Sequence, residues 1–296
     1  MDESSQSLPP KMEEEVPFAG MIAKFFDEGY WQHPLLAYRL WRTENRRWGS
    51  MKEVWEYVGR NKNFAFLMMN NSKDEEELQT SGGLVADGLK RGLNIESGHK
   101  VLEVGCGVAR IGRELAPYCG EWWGCDISSS IIRIARHRTA HLKNVHFEVL
   151  TDCSLNGFPD DSFDRVYCYA VLMHMDQEDI FSYVQEMRRV MKPGGIVSFD
   201  AINLVSEEGW TRFMWEVEHY KDRQAARPIH HSRFSTPQEL SLYAEKAGLG
   251  LLYCLEPKMM VRVIATKYPA DCLTDDDQHW YADNLRTQVD VDALRF

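Results

Sequence analysis

The spacing of apolar and polar positions changes character at about residue 100. Before it, apolar residues recur at helical intervals. Ile22, Phe25 and Phe26 share a face, Leu36, Leu40 and Trp41 follow, and Val54, Tyr57 and Val58 repeat the i, i+3, i+4 spacing. After it, short β-branched or apolar runs at 100–104, 122–126, 145–150, 163–170 and 195–201 alternate with amphipathic stretches at about 109–119, 128–141 and 177–191. That alternation predicts a parallel sheet with helices on both faces. A Thr-capped, Pro-started helix over 236–248 and two strands, 249–256 and 259–267, complete the pattern. The expected fold is α/β: seven strands, mostly parallel, behind an amino-terminal helical cap.

The same pattern divides the chain. Residues 1–16 read as a flexible acidic leader, 17–95 as a helical cap or lid, 96–268 as the main domain with an insertion at about 202–235, and 269–296 as an acidic tail. Hydrophobic residues make up 44% and charged residues 27% of the 296, which excludes a wholly disordered chain. No stretch reaches the ~18 apolar residues of a membrane span, and the amino terminus has no apolar signal region, so a cytoplasmic protein without a membrane partner is expected. Seven cysteines without a CxxC pair argue against a disulfide scaffold or a metal site. The net charge of -11 opposes nucleic-acid binding. Residues 1–30 and 269–296 each carry seven acids and two bases, so the acidity belongs to the ends and the body between them is nearly neutral.

Chemistry concentrates in 101-VLEVGCGVAR-110, where a buried strand meets a Gly-rich turn and then a helix. Gly105 and Gly107 let backbone amides approach a polar ligand, because no Cβ intervenes. Dinucleotide-binding folds share such a turn, but their fingerprint needs a third glycine where Arg110 stands. Glu103 precedes the first glycine by two residues, Asp126 ends the second strand, Asp152 follows the third, and Pro193-Gly194-Gly195 precedes the fifth. In this order the segments EVGCG, GCDIS, TDC and MKPGG resemble the class I S-adenosylmethionine-dependent methyltransferases over roughly Lys100 to Lys267. Ala109, where a third glycine is often found, is one departure.

The resemblance implies a Rossmann-like sheet, S-adenosylmethionine as cofactor, and a role for each matching position. Glu103, Gly105 and Gly107 would border the cofactor's amino-acid moiety. Asp126 would hold the ribose and Ile127 pack on the adenine. Asp152 and the Cys153 amide would read the adenine edge, while Tyr169 and Ala170 would face the sulfonium. Tyr30 and Trp31, before a Pro-started helix, are expected in a lid over the cofactor. His174, just past the fourth strand, is the candidate base; a loop histidine with a structural partner is an equal alternative.

Acceptor identity must come from the cap and the insertion. Residues 31–62 hold seven Lys or Arg against three Glu, and 219–233 hold four against one Asp. Arg42, Met173, Tyr220, His230, His231 and Arg233 are the candidate substrate residues, because a guanidinium binds a carboxylate bidentately. The expected acceptor is a small, anionic, carboxylate-bearing metabolite, with a thioether such as methionine among the possibilities and the acceptor atom open. Protein or RNA methylation, nicotinamide-dependent oxidoreduction and a catalytically silent binding module are the alternatives. The amino-terminal helices offer a surface for a homo-oligomer.

Overall fold

The computed structural model describes residues 34–221, 229, 231–256 and 258–268, so Tyr30, Trp31 and His230 lie outside the described residues. The chain forms two compact units, Met1–Asn45 and Arg46–Phe296. In the first, helix α1 (Pro34–Asn45) stacks the exposed rings of Tyr38 and Trp41 at 6.1 Å, and the Thr43 hydroxyl donates back to the Arg39 carbonyl at 2.9 Å. Arg42 lies in the last turn of this helix.

The second unit opens with three helices, α2 (Met51–Val58), α3 (Lys62–Asn70) and α4 (Glu75–Gly92). Each starts where a polar side chain takes up an orphan amide: Ser50 accepts from Glu53 N, Asn61 from Phe64 N and Asp74 from Glu77 N. Strand β1 (Lys100–Val104) leads to the short helix α5 (Gly112–Leu115) and β2 (Glu121–Asp126). Helix α6 (Ser129–Arg138), β3 (Val145–Val149), β4 (Phe163–Cys168), α7 (Gln177–Val190) and β5 (Met191–Asn203) follow. The remainder is α8 (Glu207–Tyr220), β6 (Phe234–Ser235), α9 (Pro237–Lys246), β7 (Gly250–Leu255) and β8 (Met260–Thr266).

The strand order is β3-β2-β1-β4-β5-β8-β7, with β6 added beside β5. β1 to β6 pair in parallel, and β8 runs antiparallel to both β5 and β7. Alternation along the strands sends side chains to two cores. Leu102, Val104, Val166 and Phe199 pack under α7 and α9, whereas Val101, Trp122, Tyr167 and Ile264 pack under α4, α5 and α6. The order reverses between β1 and β4, and open α/β sheets bind ligands outside the carboxyl ends of strands at such a point.

Two elements depart from expectation. The helix expected from 109 starts only at Gly112, because Ala109 adopts a left-handed φ of 56°, and Pro117 turns its end into a single 3-10 turn, Ala116–Tyr118. The fifth strand is longer than 195–201: it begins at Met191 and carries Pro193 and Gly194 across a register shift against β4. A short eighth strand, β6, joins the expected seven.

Candidate functional site

The glycine loop leaves β1 at the reversal point. Gly105 and Gly107 have φ of 73° and 54°, and the amides of Gly105 and Cys106 both donate to the Cys125 carbonyl at the end of β2. A Cβ on Gly105 would stand 2.3 Å from Val171 Cγ2, and one on Gly107 would stand 2.9 Å from Met69 Sδ. The loop is therefore a cradle that only glycine leaves open. Arg138 anchors it from below: its buried guanidinium donates to the Val108 carbonyl and to Glu75 Oε1, the latter at 2.8 Å.

Asp126 ends β2 beside this cradle. Its Oδ2 accepts from Gly107 N at 3.1 Å and its Oδ1 from Ser128 N at 2.9 Å. Burial pushes its carboxyl up to about 6, opposed by those two amides. Each oxygen keeps a lone-pair direction beyond its amide, which suits a pair of ribose hydroxyls. Ile127 is half-buried against the α7-side core. Asp152 is exposed; the Ser154 hydroxyl and amide hold its carboxyl below the usual range. Burial drives the neighbouring Cys153 thiol up to about 11, so it stays protonated. The loop, Asp126 and the groups past β3 lie on one sheet edge and fit an adenosyl cofactor.

Glu103 is turned differently from its neighbours. It is 3% exposed, on the α4–α6 face of β1, and accepts from the Tyr167 hydroxyl at 2.7 Å, which in turn accepts from Trp122 Nε1 at 3.1 Å. Burial raises its carboxyl to about 8 despite the Tyr167 bond. Past β4, Tyr169 is buried and Ala170 takes a left-handed φ of 56°, its amide donating to Asp200 Oδ1 at 2.7 Å. Arg110, 8% exposed, stands over the Tyr169 ring at 5.5 Å and donates to Ser81 Oγ at 3.2 Å.

Met173 and His174 lie in a 3-10 turn, Leu172–His174, that receives the insertion: Arg233 N donates to the Met173 carbonyl at 2.7 Å. The Arg233 guanidinium pairs with Asp176 at 2.8 Å and donates to the His231 carbonyl. The His231 ring lies 6.5 Å from that of the buried Tyr220, at the end of α8. Thus Met173, His174, Tyr220, His231 and Arg233 form one neighbourhood.

Helix α2 supplies residues that the sequence shows only as charge or aromatic content. Lys52, Trp55 and Glu56 share one face. Lys52 Nζ donates to the Leu150 carbonyl at 3.4 Å, Trp55 meets the His174 ring edge-on at 5.5 Å, and Glu56 accepts from the amides of Ser129 and Ser130 at 2.6 and 3.2 Å. Burial opposes ionisation of Glu56, but the bonds from Ser130 and Ser129 outweigh it and hold the carboxyl below its ordinary value. Their i, i+3, i+4 spacing opposite Val54, Tyr57 and Val58 was the available signal. Among the described residues no group of three or more His, Cys, Asp or Glu is placed to hold a metal, and no helix is long and apolar enough to cross a membrane.

Residues 101–195 match the family model of a methyltransferase domain. The chain is 34% identical over 183 residues to the methyltransferase GfsG of Streptomyces halstedii, an alignment covering 60% of this chain and 62% of that relative's length. It is 30% identical over 191 residues to the ubiquinone/menaquinone biosynthesis C-methyltransferase UbiE of Burkholderia mallei, covering 59% of this chain and 78% of the relative. A SAM-dependent methyltransferase from Methanosarcina mazei superposes with a TM-score of 0.50 at 22% identity, covering 59% of this chain and 95% of that one, and so shares the fold. With the glycine cradle and Asp126 on the edge where the strand order reverses, these matches place the chain in the class I S-adenosylmethionine-dependent methyltransferases, to which it belongs.

Proposed function

We propose that the protein transfers a methyl group to a small, carboxylate-bearing metabolite held between the β4 edge, α2 and the segment around His231. The observation that carries this reading is Arg110. It is nine-tenths buried, donates to Ser81 Oγ and stands over the Tyr169 face; the buried Glu103 and Asp200 carboxyls lie within its electrostatic reach, but among the described residues none is in ion-pair contact with it. A guanidinium fork that no contacting carboxylate occupies fits a substrate carboxylate bidentately. Arg233, by contrast, is already engaged by Asp176.

When bound, the cofactor supplies a methyl on a cationic sulfur, already an activated electrophile. The chain's residues then have to align and dry the site. Gly105 and Gly107 give the backbone close approach, and Asp126 accepts from the ribose. Glu103 lies one layer below, supporting the loop from within the sheet. Trp55, Tyr220 and the α2 face keep water from the edge. His174 accepts a proton when the acceptor is a hydroxyl or an ammonium; a thioether needs no base.

The relative named as a ubiquinone/menaquinone biosynthesis C-methyltransferase favours a second reading, methylation at carbon, for which phenols are one acceptor class to test. Incubation with methyl-labelled cofactor and separate pools of small acids, amino acids and phenols distinguishes the two. Label in an acid or amino acid is expected; label only in the phenol pool, or only in protein or RNA, overturns the first reading. A His174→Ala variant that keeps the wild-type pH–rate profile removes the proton-transfer role. This reading keeps the protein in the cytoplasm. The exposed Leu35, Tyr38 and Trp41 of α1 support self-association, and a monomer in sedimentation equilibrium would exclude it.

A further inference from the structure

Asp200 is wholly buried in β5 on the α4–α6 face of the sheet, directly opposite Arg262 in the antiparallel register with β8. Its two oxygens are divided. Oδ2 pairs with the Arg262 guanidinium at 2.9 Å, and Oδ1 accepts from the Ala170 amide at 2.7 Å. Ala170 stands two residues past the end of β4 with φ 56°, a conformation that an alanine occupies at a cost because its Cβ crowds the following carbonyl. A charge-assisted bond to a buried carboxylate offsets that cost. The chain then delivers two groups. Val171 is pressed against Gly105, close enough that any Cβ there would collide with it, and the Val171 carbonyl accepts from His174 N at 3.0 Å.

A buried ion pair stabilises a fold little better than an apolar pair of similar volume. What this one provides is geometry. We propose that Asp200 and Arg262 are positioning residues for methyl transfer: together they hold Ala170 left-handed and thereby fix the 169–174 segment against the glycine loop. The inference rests on the reading that this sheet edge presents the methyl group.

The test uses the full chain and needs no acceptor. S-adenosylhomocysteine and adenosine are titrated calorimetrically into the wild type and into Asp200→Asn, Arg262→Met and Arg262→Lys, and amide exchange is followed over 169–174. Asp200→Asn and Arg262→Met should each weaken S-adenosylhomocysteine ~10-fold while leaving adenosine within ~2-fold, since the affected segment lies at the sulfur end. Exchange over 169–174 should accelerate in both, and Arg262→Lys should recover most of the affinity. The double variant Asp200→Asn with Ala170→Gly should regain binding, because glycine needs no help to adopt that φ. Equal loss of both ligands, unchanged exchange, or no recovery with glycine would reduce the pair to a structural role and overturn the proposal. If Asp200→Asn does not fold, Arg262→Met and Arg262→Lys carry the same comparison. A wrong acceptor class leaves all these readouts intact, whereas a wild type that does not bind S-adenosylhomocysteine sinks the reading of the edge itself.

Discussion

Tyr167 and Glu103 are register partners on adjacent parallel strands, and the tyrosine hydroxyl donates to the carboxyl across 2.7 Å in a layer closed to water. Burial raises Glu103 to about 8, so near neutrality the folded protein holds a proton that the unfolded chain has released above about 4.5. The raised value means that this contribution to stability is fully present below the unfolded value and is lost as pH rises towards 8, by up to about 1.4 kcal/mol per pH unit. Glu103→Gln keeps an acceptor for Tyr167 and removes the titration. Urea unfolding between pH 5 and 8 should show the variant's stability changing less with pH than the wild type's; parallel curves would contradict the assignment.

Asp126 joins the glycine loop to the start of α6 through Gly107 N and Ser128 N. Asp126→Asn retains one acceptor and loses the charge, and should weaken S-adenosylhomocysteine ~10- to 100-fold. Because the wild-type carboxyl titrates near 6, wild-type affinity should rise from pH 5 to 7, while the asparagine variant's response over that interval should be smaller. Calorimetry at the two pH values decides.

The two loop glycines should differ in how they tolerate a methyl. Gly105→Ala forces a positive φ on alanine and meets a branched Val171 at 2.3 Å, so loss of cofactor binding is expected together with destabilisation of about 1–3 kcal/mol. Gly107→Ala meets the flexible end of Met69, and Met69→Ala in the same protein should recover part of the lost affinity. No recovery at either glycine with its neighbour trimmed would mean that backbone strain alone matters.

Glu56 places a carboxylate on the first amides of α6, where the helix dipole favours negative charge. Glu56→Gln should cost about 0.5–2 kcal/mol, and added salt should narrow the difference. The lowered carboxyl of Glu56 means that its contribution is present above about 4.5 and lost as pH falls through the folded value. Thermal melts at pH 7 and pH 4, at low and high salt, test both statements.

The residues that announced the cofactor edge do so through short-range rules. The strand alternation of 100–104 and 122–126, the glycines at 105 and 107, and the acid ending β2 each need only a few neighbouring residues to be read, and their local geometry follows from φ limits and capping. The face of Glu103 was legible by the same rule, since positions 101 and 103 of a strand point to one side, yet its partner Tyr167 is 64 residues away. Arg110 showed in the sequence only as a missing glycine, and Asp200 and Arg262 only as polar residues in apolar strands. Their meaning depends on which strands become neighbours: β8 returns antiparallel to β5 and sets Arg262 opposite Asp200. Likewise, Glu56 finds α6 across 73 residues of chain. By itself the sequence determined the elements, their handed α/β order and the cofactor loop, because these rest on periodicity and backbone sterics. Only the tertiary structure decided which charges are buried, which are paired and which reach the carboxyl edge of the sheet, because desolvation and long-range contacts exist only after the sheet has assembled.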